Sequence, residues 1–408
     1  MLQSAEWILI PWSAIAAAWW LVALSLVWRS SGRQKVETGG QEPAVRHPKS
    51  QAPGPTLTIF KSLPPLTSQT SRTASRHIQP PAALVRALES FVSQLDTQHE
   101  LLIGIETGDQ ESWRPLLTRW QTQYPGARFE TVVQRRPAQV ANLKIAWQMR
   151  LAPLATGKLW LWSDADIIAP DGFLSSICAE FEAGGEKALT NPYVIRNLER
   201  VQGIPDALFI NVEFFPGVLL LRKRGNVSFA FGAGTLFDAG EFRRKVDWLK
   251  LGAALADDFE LGKLMEPVAI SRTTVETLPE QESWPRSLRH YFRWSKTIRW
   301  CQPWGYAAQI AIVPLLGWLL FALTHPQNPV AWCGLLAISQ IETAAAVLIC
   351  RRIGCRISPR WLWAVEAWTV LRPLVWLASW LPLPVQWGDS PAKWWKPTQH
   401  QKPGHSSP

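Results

Sequence analysis

In the first half of the chain, short apolar runs that suit buried strands alternate with segments whose apolar residues recur at helical spacing. Thr56-Leu57-Thr58-Ile59-Phe60, Leu101-Leu102-Ile103-Gly104-Ile105, Phe129 to Val133 and Lys158 to Trp162 read as strands. Between them lie three helical segments: residues 82–95, with Leu84, Val85, Leu88 and Val92 on one face, then Trp113 to Tyr124 and Ala138 to Met149. This alternation predicts an α/β fold with a mainly parallel sheet and a ligand site at the C-terminal ends of its strands.

The flanks follow a different pattern. Trp7 to Trp28 is an uncharged run of 22 residues closed by Arg29, Arg33 and Lys35, long enough to cross a bilayer as a helix. The positive charges follow the apolar run, which argues for a retained anchor over residues 1–29 with its C-terminal end in the cytoplasm. Residues 30–55, rich in Gly, Pro, Gln, Ser and charge, read as a flexible linker. After a domain over residues 56–300, a membrane region spans 301–387. Tyr306 to Leu323 and Val330 to Cys350 are candidate spans there, and Arg351, Arg352, Arg356 and Arg360 mark the return to the cytoplasm. Trp361 to Trp387 carries Glu366, Arg372 and several prolines, and is open to reading as a third span, a re-entrant segment or an interfacial helix. Residues 388–408 read as a disordered tail.

Composition sharpens this picture. Twenty-five tryptophans among 408 residues point to lipid or sugar contacts. The net charge of +10 lies largely beside the apolar segments, with no basic helix interleaved with aromatics and no zinc-finger spacing. Anionic lipid headgroups therefore fit that charge better than nucleic acid. Five scattered cysteines with no C-x-x-C pair argue against a disulfide framework and for a reducing compartment.

Ser163-Asp164-Ala165-Asp166 carries the most chemistry. It follows the apolar run Leu159 to Trp162, so two carboxylates stand at a strand end and need a cation to offset their desolvation. Mg²⁺ or Mn²⁺, which takes one or two carboxylates plus substrate phosphates, is one such cation. A turn capped by aspartates, running into Pro170-Asp171-Gly172, is the alternative. Asp257-Asp258 ahead of Phe259, Leu261 and Leu264 likewise reads either as a helix start or as a pair of functional acids.

Asn142-Leu143-Lys144, Ser163 to Asp166, Asp257-Asp258-Phe259 and Arg293-Trp294-Ser295-Lys296-Thr297-Ile298-Arg299, taken in order, resemble the ceramide glucosyltransferase family and its bacterial hopanoid-associated relatives. These are inverting family 2 glycosyltransferases. The resemblance implies a GT-A-like nucleotide-sugar-binding domain flanked by transmembrane helices. It implies Asp164 and Asp166 as metal and diphosphate acids, Asp258 as general base, and Arg293 with Trp294 at the catalytic site. Arg293 and Trp294 match the Arg-Trp end of the family's Q/R-x-x-R-W signature, whose first position is His290 here, a departure from the family's Gln or Arg. Thr107 stands where relatives carry an Asp after the second strand, so Glu106 or Asp109 takes over that donor contact. Lys144 matches a donor-side lysine. Phe231-Gly232-Ala233-Gly234-Thr235 matches a small-residue turn, where Gly232 and Gly234 let substrate approach the backbone, with Asp257 and Trp294 on the acceptor side. Pro192-Tyr193-Val194 and Asn211 to Phe215 shape that side too.

The resulting expectation is a membrane-bound transferase that moves one sugar from a UDP-sugar donor to a lipid hydroxyl at the cytoplasmic face, with Mg²⁺ or Mn²⁺ as cofactor. The alternatives are a processive polysaccharide synthase, for which the spans are few, and an inactive lipid- or partner-binding relative.

Overall fold

The computed structural model describes residues 3–37, 56–66, 79–126, 128–134, 140–386 and 394–395; the flexible-linker reading from residue 38, the start of the predicted 138–149 helix and the tail lie outside them. In chain order come α1 (Gln3–Glu37), β1 (Leu57–Ser62), α2 (Ala82–Val92), β2 (His99–Glu106), α3 (Gln110–Gln123), β3 (Arg128–Gln134), α4 (Leu143–Leu151) and β4 (Leu159–Trp162). Then follow β5 (Ile167–Ile168), α5 (Phe173–Gly184), β6 (Ala188–Thr190), β7 (Tyr193–Val194) and a long composite helix, α6, over Val201–Arg224. The chain continues through β8 (Thr235–Asp238), α7 (Ala239–Lys245), α8 (Trp248–Ala253), α9 (Asp257–Met265), β9 (Val268–Ile270) and β10 (Val275–Thr277). Last come α10 (Trp284–Cys301), α11 (Pro303–Ala308), α12 (Pro314–Thr324), α13 (Pro329–Ile353) and α14 (Leu362–Ser379).

Seven strands form the main sheet in the order β3-β2-β1-β4-β8-β6-β9. The β3-β2-β1-β4 half is parallel, as the alternation predicts, and β8 runs antiparallel to both β4 and β6. A small sheet, β5-β10-β7, lies beyond the end of β4. The period-2 pattern of β4 decides its packing. Trp160 and Trp162 join Phe60, Phe237 and Phe242 on one face, while Leu161 joins Ile59, Leu101 and the residues of α2 and α3 on the other. Four of the largest fully buried side chains are Trp113, Trp120, Trp160 and Trp162, so part of the tryptophan excess builds this core. Trp7, Trp28, Trp304 and Trp363 stay exposed on the apolar helices.

Among the described residues, three helices are long and apolar enough to cross a membrane: Trp7–Ser30, Val201–Arg224 and Pro329–Ile353. The segment read as one span at Tyr306 to Leu323 is broken, its halves bent by 58°. Pro314 explains the break: it has no N–H to give the ladder, and it pushes Val313 out of helical geometry, to φ −125° and ψ 61°. One core joins α1, α6, α13 and α14 through Trp20, Leu208, Phe215, Ile349 and Trp368, so these helices pack directly onto the α/β domain.

The charges inside the apolar helices have partners. Arg372 of α14 donates to Glu342 of α13 at 3.1 Å and lies 3.8 Å from Glu213 of α6, which also accepts from Tyr291 Oη at 3.2 Å. Glu366 accepts from the hydroxyls of Ser339 and Thr343. Removing one partner from a buried ion network strands the other charge. Arg372→Met is therefore expected to destabilise the protein by roughly 3 kcal/mol, read as a fall in thermal midpoint in detergent, and adding Glu342→Gln should recover part of the loss. An unchanged midpoint would show that the network carries no stability.

Candidate active site

Parallel strands deliver their C-terminal ends to one edge of the sheet, and β4 ends there at Trp162. Ser163 to Asp166 leave that edge, crossed by the loop before β8, where the Asp164 N–H donates to the Gly232 carbonyl at 3.2 Å. Lys61, near the end of β1, lies fully buried beneath this turn. Its ammonium donates to Ser163 Oγ at 2.9 Å and to the Asp164 carbonyl at 2.7 Å, and sits 3.6 Å from the centre of the Phe91 ring. Burial lowers its pKa to about 7, against the opposing charges of Asp166 and Asp164.

The Asn142-Leu143-Lys144 motif starts α4. The Asn142 side chain caps the helix by accepting from the Ile145 N–H at 3.2 Å, and its amide donates to Asp257 Oδ1 at 3.0 Å. Lys144, in the first turn, reaches Asp164 Oδ1 at 2.6 Å and Asp257 Oδ2 at 3.5 Å. Burial alone would lower its pKa, but Asp164, Asp257 and Asp258 hold it above the ordinary range. Asp257 is thus engaged on both oxygens and largely buried.

Asp257 and Asp258 open α9, where the helix N-terminus favours negative charge. Asp258 Oδ2 accepts from the Gly232 N–H at 2.8 Å and Oδ1 from the Phe259 N–H at 2.9 Å. Burial, then the charge of Asp257, push its pKa up to about 7 against the pull of Lys144. Gly232 is where the parts meet. A Cβ there would lie 2.7 Å from Asp164 Oδ2 and 3.5 Å from both Asp258 Oδ2 and Lys144 Nζ, so a side chain at this position would displace the Asp164 carboxylate. Gly234 faces Asn191 instead, at 2.9 Å from its hypothetical Cβ.

Asp166 accepts from Thr277 Oγ1 of β10 at 3.2 Å, and burial followed by the charge of Asp164 raises its pKa. Asp164 and Asp166 are hard oxygen donors of the kind that Mg²⁺ or Mn²⁺ takes in twos alongside phosphates, and the repulsion between them is what a cation would relieve. Among the described residues there is no cluster of three or more His, Cys, Asp or Glu side chains fit to hold a metal by itself, so phosphate oxygens and water would have to complete the shell.

The helix α10 supplies Arg293, Trp294 and His290 to the same cavity, which has a volume of about 560 Å³. Trp294 stacks on Phe209 with centroids 5.2 Å apart, and its other neighbour is the His290 ring at 4.2 Å. His290 Nδ1 lies 2.8 Å from Asp206 Oδ2, which fixes the ring. The Arg293 guanidinium makes no hydrogen bond or ion pair to another side chain among the described residues. Burial lowers its pKa, with Asp206, Asp164 and Asp166 as the nearby opposing charges. From the acids the cavity runs past Phe209, Val218, Leu221 and Ile298 to Gln302, Gly305 and Gln309 at the broken apolar segment.

The structure thus gathers Lys144, Asp164, Asp166, Gly232, Asp257, Asp258, His290, Arg293 and Trp294 around one cavity. Glu106, Thr107 and Asp109 stand apart, at the end of β2, two strands from β4 in the sheet order and so about 10 Å away. Asp109 is buried, and its Oδ2 accepts from the Leu66 N–H at 2.9 Å, which ties down the chain leaving β1. Lys61, Asp206 and Thr277 are site residues that the sequence pattern did not single out. Their side-chain hydrogen bonds run to partners at least 74 residues away, so no local motif marks them.

The model of glycosyl transferase family 21, the ceramide glucosyltransferase family, matches residues 81–391, which bears out the ceramide glucosyltransferase resemblance and places the chain in family 21, not family 2. A comparison with curated proteins gives no match. Among solved structures, a mannosyltransferase from Pyrobaculum calidifontis, in complex with GDP-Man and Mn²⁺, is 16% identical over 91% of this chain and 100% of that one, with a TM-score of 0.42. Residues 1–349 of TarS from S. aureus are 8% identical over 78% of this chain and 91% of that one, with a TM-score of 0.34.

Proposed function

The chain belongs to glycosyl transferase family 21, and from that premise we propose that it transfers a single sugar from a uridine-diphosphate donor to the hydroxyl of a ceramide-like or hopanoid lipid at the cytoplasmic membrane face. One observation carries this reading. The cavity that holds the acids and Arg293 at one end opens along apolar walls onto the broken helix α11–α12 at the other, so a lipid can keep its body in the bilayer while its hydroxyl reaches Asp258.

In this mechanism the acceptor oxygen attacks the anomeric carbon from the face opposite the diphosphate, and its proton passes to the Asp258 carboxylate. The bond from the anomeric carbon to the diphosphate breaks with its electron pair leaving on oxygen. Arg293 receives that charge with parallel N–H donors, and Lys144 holds Asp164 in place. Trp294, braced by Phe209, offers its free edge to the sugar or the acceptor's polar end. Asp164 and Asp166 would hold Mg²⁺ or Mn²⁺, which supplies Lewis acidity to the leaving diphosphate. The donor's uracil and ribose extend along the sheet edge toward Glu106 and Thr107.

The test is to incubate membranes containing the protein with labelled UDP-sugars and separate pools of ceramides, hopanoid polyols and diacylglycerols, then to identify products by mass spectrometry. A lipid carrying one labelled sugar is the expected product. A labelled polymer would favour the synthase alternative, and absence of transfer from every donor would overturn the proposal.

A further inference from the structure

The helix α6 is a wall between two hollows. Phe214, Val218 and Leu221 line the reaction cavity, whereas Phe215, Leu219 and Arg222 line a separate groove of about 1350 Å³, and among the described residues none lines both. The spacing explains this, since positions 215, 219 and 222 fall on one helical face and 214, 218 and 221 on another.

The groove has a basic rim and an apolar wall. Among the described residues that line it, Arg29, Arg196, Arg222, Lys223 and Arg272 are cationic, and Glu180 and Glu186 carry carboxylates. Glu180 is already committed, accepting from Ser271 Oγ at 2.7 Å and from the Arg272 N–H at 2.9 Å. Two of the cations are held in place from behind: Arg196 donates to the Ile353 carbonyl at 3.0 Å and Arg222 to the Ser271 carbonyl at 3.1 Å. The apolar wall is made by Leu26, Phe215, Leu219 and Ile353. Leu26 and Ile353 stand at the basic ends of the apolar helices α1 and α13, which are joined there by Arg352 over the Trp28 ring at 4.1 Å. Basic residues at the end of an apolar helix mark the level of the lipid headgroups.

We propose that this groove binds an anionic phospholipid, with its phosphate among Arg196, Arg222, Lys223 and Arg272 and the start of an acyl chain along Leu26, Phe215, Leu219 and Ile353. Paired cations favour a phosphate, and the apolar wall distinguishes a lipid from a free anion. The acceptor lipid is a different molecule, because its hydroxyl must reach Asp258 on the far side of α6. The inference rests on membrane placement of α1 and α13 and does not depend on the sugar-transfer reading.

The test uses the full chain in nanodiscs of phosphatidylcholine containing phosphatidylglycerol, with native mass spectrometry to count retained lipids and a thermal midpoint as a second readout. The wild type is expected to retain phosphatidylglycerol in preference to phosphatidylcholine by roughly tenfold, and to melt higher in its presence. Lys223→Gln/Arg272→Gln should lose that preference, whereas Lys250→Gln/Lys263→Gln, a control at two lysines that do not line the groove, should keep it. Equal retention of the two lipids by the wild type, or a preference that survives Lys223→Gln/Arg272→Gln, would overturn the proposal. So would displacement of the retained lipid by millimolar inorganic phosphate, which would identify an anion site without lipid selectivity. These readouts remain decisive whether or not any sugar is transferred.

Discussion

Asp258→Asn is expected to lower turnover by about a thousandfold while leaving donor affinity within a few-fold of wild type, because the carboxylate is the proton acceptor and its loss removes general-base catalysis. Both carboxylate oxygens accept backbone N–H bonds, from Gly232 and from Phe259. A carboxamide can satisfy only one of them, so the variant also turns an N–H against a donor. A thermal melt beside the kinetics separates that local cost from lost chemistry. The wild type's pH profile gives an independent check. Burial and then the charge of Asp257 push the Asp258 pKa up to about 7. A base works only when ionised, so transfer should be flat above that pH and fall about tenfold per unit below it. The Asn variant should lose this acid limb. Near-normal turnover in Asp258→Asn, or an unchanged acid limb, would remove the base from Asp258.

The strand-and-helix alternation was legible because each element is amphipathic or wholly buried in a way that its own residues display. β1 to β4 lie within two or three residues of their expected bounds, and Asp164, Asp166, Asp258 and Arg293 do share a cavity. Other features could not be read locally. The long helix α6 contains Pro205, Asn211, Glu213 and Pro216 and passes through a π-helical stretch at Phe209–Phe214, so its apolar residues keep no 3.6 period. Its apolar residues face several directions because it is packed on several sides, by α1, α10, α13 and α14. Lys61 directly follows the expected strand Thr56 to Phe60, and nothing in its neighbours along the chain marks it as buried. Its burial depends on Phe91 and on the turn at Ser163, 102 residues away. Tyr306 to Leu323 carries no charge and so reads as one span, while the break at Pro314 inside it leaves no mark on the hydropathy pattern.

Arg293→Ala is expected to lower kcat/KM by a factor of 10² to 10³, the range for removing a charge-stabilising donor from a developing anion, while the fold becomes no less stable. The reason lies in what this side chain does not do. Among the described residues its guanidinium forms no hydrogen bond or ion pair within the protein, although burial disfavours its charge and Asp206, Asp164, Tyr193 and Asp166 offset that cost only in part. A cation held in that way destabilises the apo protein and is suited to meeting an incoming diphosphate, so its removal should leave the thermal midpoint equal or raise it. Arg293→Lys keeps the charge but not the fork of parallel donors, and should fall between wild type and Arg293→Ala. The diagnostic is the pairing of the two measurements. A midpoint several degrees lower with transfer preserved would make Arg293 a structural residue, and the leaving-group role would then have to pass to Lys144 or His290, the remaining basic side chains that line the cavity among the described residues.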